Sequence, residues 1–146
     1  TAPDHSYVKL LRDAWDGPLI VKGVMCPDDA APLQGLGVDA VWVSNHAGRQ
    51  FAGSPAAIDM LPAVKAATDL PIIFDSGIEG GLDMLRALAL GADLVMMGRA
   101  WHYALGAIGA KGPAHLYNML VDDLTSNMIQ IAATHLRNLP DLLHKY

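Results

Sequence analysis

Cysteine is almost absent from this sequence. Cys26 stands alone, which excludes a disulfide framework and fits a reducing, cytoplasmic compartment. No apolar run approaches the roughly 18 residues of a spanning helix, and the first residues lack a signal-peptide pattern. The chain therefore reads as soluble, with a contact peripheral to the membrane left to sequence outside it. Basic runs are missing too. Ten Lys and Arg against fifteen Asp and Glu give a net charge of -5, so nucleic-acid binding is not expected. An anionic ligand would need local positive groups set against that overall field. Low-complexity tracts and obvious linkers are lacking. His5, His102, His115, His135 and His144 show no zinc-ligand spacing, and no metal is expected. What the chain has is core material. Of 146 residues, 52% are hydrophobic, enough for one domain and too many for disorder. The seven methionines, with Trp15, Trp42 and Trp101, are expected in that core.

Helical spacings alternate with short β-branched runs. After a polar, mobile lead (Thr1 to Tyr7, with Pro3), Val8, Leu11 and Trp15 share a helical face, stopped by Asp16-Gly17-Pro18. Leu19 to Gly23 reads as a strand. A helix opening at Pro27-Asp28-Asp29 closes near Leu36-Gly37, and Asp39 to Ser44 is the next strand. Ser54-Pro55 resembles an N-cap followed by proline, starting a helix to about Thr68 with Ile58, Leu61 and Val64 inward. Ile72 to Asp75 is a strand, Leu82 to Leu90 a helix stopped by Gly91, and Leu94 to Met97 the last strand. Trp101 to Tyr146 reads as helical, mainly over Pro113 to Leu136. Strand starts fall about 20 to 32 residues apart, as βα units with a parallel sheet require.

The polar residues gather where those strands end. Lys22 closes the first, Ser44 with His46 and Arg49 the second, Asp75 with Gly77 the third, and Gly98 with Arg99 the fourth. In parallel α/β folds these ends share one face, and that face carries the active site. Asn45 and His46 could simply hold a turn. Arg49 three residues on suits a substrate with a carboxylate beside the atom that loses a proton. Lys22 could reach solvent, or neutralise negative charge developing in a flavin or carbonyl site. The Gly77, Gly80, Gly81 turn and Gly98-Arg99 could be tight turns, or a phosphate cradle of backbone N–H groups and a guanidinium. Glu79 opposes the second reading, since an inward carboxylate repels phosphate.

Ser44-Asn45-His46-Ala47-Gly48-Arg49-Gln50 resembles the active-site signature of the FMN-dependent 2-hydroxy-acid dehydrogenase/oxidase family, which includes glycolate oxidase, L-lactate dehydrogenases and mandelate dehydrogenase. Val21-Lys22-Gly23-Val24, Asp75-Ser76-Gly77, and Ala87 to Ala92 through Gly98-Arg99 match it in order, so the likeness covers Val8 to Leu139. It implies an α/β (β/α)8 TIM barrel holding FMN at its strand C-termini, in a homo-oligomer. It further implies that His46 is the base, that Arg49 clamps the substrate carboxylate, and that Lys22 stabilises the reduced flavin. Ser44 would bond the flavin, with Asp75, Ser76 and Gly77 along the ribityl and phosphate region and Gly98 and Arg99 at the phosphate. The activity implied is oxidation of a lactate-like (S)-2-hydroxy acid to the 2-oxo acid.

The sequence departs from the family twice. Ala47 replaces a usual glycine, and Glu79-Gly80 stands where the family usually has arginine after the seventh strand. The likeness also covers only the last four βα units. Residues 1–146 are therefore expected to be the C-terminal half of one FMN-binding barrel domain, inactive without the N-terminal half. Two rival readings are another flavin- or phosphate-binding barrel, such as an isomerase, and a non-catalytic half-barrel assembly module.

Overall fold

Four short strands lie side by side in the order in which the chain makes them. β1 (Ile20–Val24), β2 (Ala40–Val43), β3 (Ile72–Phe74) and β4 (Leu94–Val95) are parallel neighbours throughout. Parallel pairing needs crossovers, and α2 (Pro27–Ala30), α3 (Ala57–Ala66) and α4 (Gly81–Ala89) provide them. α1 (His5–Ala14) precedes the sheet; α5 (Arg99–Ile108) and α6 (Gly112–Gln130) follow it. An order without reversal is the arc of a barrel, not a doubly wound sheet. This computed structural model describes residues 4–143; Pro3 of the expected mobile lead and His144 lie outside them.

Strand alternation sorts the side chains. Val41, Val43, Ile72 and Phe74 are at most 1% exposed and form the main core with Leu33, Leu61 and Val64. Burying each such side chain contributes about 1.5–3 kcal/mol, so this layer dominates stability. Lys22, Trp42, Ile73 and Leu94 form one register row. That row belongs to the other, open face, where Leu94 is 51% exposed. Among the described residues, nothing pairs with the outer edges of β1 and β4.

At the far end from the strand C-termini one device appears twice. Gly37-Val38-Asp39 precedes β2 and Gly91-Ala92-Asp93 precedes β4. Both glycines have left-handed φ, 76° and 109°, and a Cβ on either would strike the aliphatic stem of Arg12 or Lys65. Asp39 N–H donates to Leu19 O (2.8 Å) while its carboxylate accepts Leu19 N–H (2.7 Å). Asp93 makes the same double exchange with Ile72, at 2.8 Å each way. Arg12 and Lys65 then pair with the two carboxylates at 3.3 and 3.4 Å. Each Gly-x-Asp thus ends one connection and pins the start of the adjacent strand.

Several element ends differ from expectation, for local reasons. α1 starts at His5 because Asp4 caps it, accepting Ser6 N–H at 2.9 Å. It buries no residue: Leu11 is 40% and Trp15 56% exposed, so Trp15 is not core. α2 stops at Ala30, since Pro32 has no N–H to continue the ladder; a 3-10 turn, Gln34–Leu36, follows. Ser54-Pro55 is not the cap of α3, which begins at Ala57 and ends at Ala66. The Pro55 carbonyl instead accepts Asn45 Nδ2–H at 3.0 Å. β4 leaves its ladder at Val95, and Met96 is exposed, as is Met119. α6 ends at Gln130 rather than Leu136, with Ala132 turned to φ 54° and a 3-10 stretch over Leu136–Leu142.

Candidate active site

The ends of β1, β2 and β3 are tied by a ring of hydrogen bonds. Lys22 Nζ donates to Ser44 Oγ at 2.8 Å and to Asp75 Oδ2 at 2.7 Å. Ser76 Oγ donates to Asp75 Oδ1 at 2.8 Å and accepts Ala47 N–H at 3.1 Å. Ser44 Oγ accepts His46 N–H at 3.1 Å and lies 3.4 Å from Ser76 Oγ. Its two acceptor sites are taken by Lys22 and His46, and the Ser76 proton by Asp75. The Ser44 proton is left to face the Asp75 carboxylate and the Ser76 hydroxyl. Lys22 Nζ also sits 4.4 Å from the centre of the Trp42 ring, a cation–π contact.

Asp75 is the charge partner in this ring. Burial would raise its pKa, but hydrogen bonds from Lys22, Ser44 and Ser76, with the Lys22 charge, outweigh it and hold the carboxyl below its ordinary value. The Lys22 ammonium is thereby fixed at one point.

The His46 turn is strained. His46 and Ala47 both have left-handed φ, 55° and 54°, and Gly48 follows at 71°. Such backbone costs a residue other than glycine about 1–2 kcal/mol. Two hydrogen bonds at about 0.5–1.5 kcal/mol each are of the right size to offset much of that. The turn projects His46 and Arg49 outward, both exposed.

Two clefts open at this mouth. One of about 410 Å3 is lined by Arg49, Asp75, Ser76, Gly77, Glu79, Gly98, Arg99 and Tyr103. The other, about 360 Å3, holds Lys22, Ser44, Asn45, Met25, Gln50 and Phe51. His46 lines both. The structure thus brings together all the predicted site residues: Lys22, Ser44, His46, Arg49, Asp75, Ser76, Gly77, Gly98 and Arg99. Tyr103, one turn along α5 from Arg99, also lines the first cleft, a position its i+4 spacing from Arg99 could have suggested. Among the described residues, Asn45 Oδ1 and Trp42 Nε1 are buried without a hydrogen-bond partner. Asn45 lines the second cleft, but this oxygen is itself buried.

The start of α4 is already occupied. Gly81 N–H donates to Asp123 Oδ2 of α6 at 2.5 Å, and Glu79 N–H to Asp83 Oδ2 at 3.1 Å. A phosphate in the first cleft would rely on Arg99 and the N-terminus of α5, which begins at that residue. Glu79 lines the same cleft and works against it.

The sequence pattern of a family described as FMN-dependent dehydrogenase matches residues 1–145. L-Lactate dehydrogenase from Chromohalobacter salexigens is 41% identical over 131 residues, covering 88% of this chain and 33% of that protein. A solved protein described as lactate oxidase from Pediococcus acidilactici superimposes with a TM-score of 0.90 at 37% identity, over 99% of this chain and 42% of that one. A soluble mutant of the membrane-associated (S)-mandelate dehydrogenase from Pseudomonas putida gives 0.92 at 35% identity, over 98% and 41%. This chain spans between a third and about two fifths of their lengths, and its sheet is part of a TIM barrel.

Proposed function

The chain belongs to the FMN-dependent dehydrogenase family, and from that membership we propose that it carries the base and the carboxylate clamp of a site oxidising a lactate-like (S)-2-hydroxy acid to the 2-oxo acid. The cofactor of the family is FMN, which when bound accepts the two electrons. Three features of the mouth suit it: a fixed ammonium at Lys22, two clefts that both border His46, and a guanidinium at the start of α5. Glu79 is the one feature that does not.

In this proposal His46 removes a proton from the substrate. Arg49, on the same turn, pairs with the substrate carboxylate through two parallel N–H donors, which fixes the hydroxyl-bearing carbon beside the imidazole. Lys22, locked by Asp75 and Ser44, offers a positive charge where negative charge collects, at no reorganisation cost. Ser44 shares that fixing of Lys22 while supporting the His46 turn. Arg99 and Gly98 hold the phosphate end, with Asp75, Ser76 and Gly77 along the chain between. The observation that carries the reading is that His46 borders both clefts, between Lys22 and the two arginines.

Residues outside this sequence are proposed to supply the other strands of the barrel, closing the open face and the free edges of β1 and β4. The single cysteine supports a reducing compartment. No helix among the described residues is long and apolar enough to cross a membrane. Both fit a cytoplasmic protein or one resting against a membrane surface. The experiment is an anaerobic screen of 2-hydroxy acids against the flavin-loaded protein. Bleaching of the flavin by lactate-sized substrates is expected. A flavin that no 2-hydroxy acid bleaches would overturn the reading.

A further inference from the structure

We propose that Ser76 is a positioning residue for His46, acting across the sheet through the Ala47 amide. This rests on the role of His46 proposed above. Ser76 belongs to the loop after β3 and Ala47 to the loop after β2, 29 positions apart, yet the Ser76 hydroxyl accepts Ala47 N–H at 3.1 Å. Two adjacent residues that are not glycine, His46 and Ala47, hold left-handed φ there, which neither adopts readily on its own. Their amides have separate anchors. His46 N–H goes to Ser44, on its own strand end, and Ala47 N–H goes to Ser76 on the neighbouring one.

Ser76 is itself held. It donates to Asp75 Oδ1, whose other oxygen binds Lys22, so its acceptor side is turned back toward Ala47. Ser76 too has a left-handed φ, 80°. Glycine would take that angle without strain, whereas the serine bears it with its hydroxyl bonded both to Ala47 N–H and to Asp75. The ring therefore passes from Lys22 through Asp75 and Ser76 to the backbone that aims His46. Removing the hydroxyl should leave Lys22 paired and Arg49 present, while the imidazole loses its fixed direction.

The decisive variant is Ser76→Gly, which fits φ 80° and removes the hydroxymethyl side chain. Two readouts are taken on the flavin-loaded protein: hydrogen exchange at the residue 47 amide, and the rate of flavin reduction by a 2-hydroxy acid. Exchange at Ala47 should speed up about tenfold, in line with loss of one hydrogen bond. The limiting rate of reduction should fall by a similar factor with KM little changed, because Arg49 is untouched. Adding Ala47→Gly should restore much of the rate, since glycine holds the left-handed turn unaided. A purely structural role for Ser76 would not be rescued in that way. Unchanged exchange at Ala47 in Ser76→Gly would overturn the proposal, as would a rate loss that Ala47→Gly leaves uncorrected. If the unsubstituted protein reduces no flavin, the assigned reaction fails, while the exchange experiment still decides whether Ser76 holds the turn.

Discussion

The two ends of the sheet follow different rules. Behind the strands, Gly37-Val38-Asp39 and Gly91-Ala92-Asp93 repeat one solution, with matching bonds, glycine angles and basic partners. At the mouth no loop copies another. One ends in a lone lysine, one in a strained imidazole turn, one in a serine beside a carboxylate, one in an arginine opening a helix. Repetition where the chain only needs to hold together, and variety where it needs to act, is the division expected of barrel strands. Within the mouth there is a second contrast. Lys22 is tied on two sides, whereas among the described residues Arg49 and Arg99 form no ion pair. One charge is set in advance, and two stand without an ion-pair partner among the described residues.

The sharpest separation of the two ends comes from His46→Gln. It should cut flavin reduction by about 10²–10⁴-fold while thermal unfolding of the protein stays unchanged. A normal rate would remove His46 from the chemistry. Arg49→Lys comes next, because lysine cannot make the paired fork. A rise in KM of about 10- to 100-fold follows from the strength of charge-assisted hydrogen bonds, read by steady-state kinetics. At the other end, Asp93→Ala leaves Ile72 N–H without its acceptor. It should lower the unfolding free energy by about 1–3 kcal/mol in urea titrations and leave the turnover number alone. If Asp93→Ala slowed catalysis as much as it destabilised the fold, the two ends would not be separable.

Acid gives a smaller effect. Asp75 has its pKa lowered by folding, so its contribution to stability is complete above the unfolded carboxyl value of about 3.9. It is lost as pH falls through the folded value. The stability gap between the unsubstituted protein and Asp75→Asn should therefore be constant from neutrality to about pH 5 and close on further acidification. The smallest change expected is from Glu79→Gln. Removing one exposed carboxylate from the first cleft should tighten FMN by about two- to fivefold, as for a screened surface charge. Fluorescence titration at low and high salt would show that gain shrinking with ionic strength.

The strand ends were legible in the sequence because each strand stops at a change of chemistry, from Val43 to Ser44 or from Phe74 to Asp75. The hydrophobic pattern also located the helices, though not their limits. Ser54-Pro55 carries the signals of a helix start, but the Pro55 carbonyl is engaged by Asn45 and the helix waits for Ala57. Trp42 was expected in the core by composition, yet its ring faces the Lys22 ammonium. The bonds that matter most at the site join residues far apart in the chain: Ser76 to Ala47, and Asp123 to Gly81, 42 positions away. No local window contains both partners. The Gly-x-Asp pair was there to be found, as two triplets each followed by a strand, but its meaning depends on a neighbour on the adjoining strand.

Gly81 has a consequence of its own. A methyl group at this position would stand 2.2 Å from the Leu124 nitrogen, so the first turn of α4 rides directly on the backbone of α6. Two such surfaces in contact cannot slide independently. The loop that carries Gly77 and Glu79 leads into this seated turn, so the nineteen-residue α6 sets where that loop ends, through backbone contact and the Asp123 carboxylate. The long helix thus serves as the bed on which one wall of the first cleft is laid.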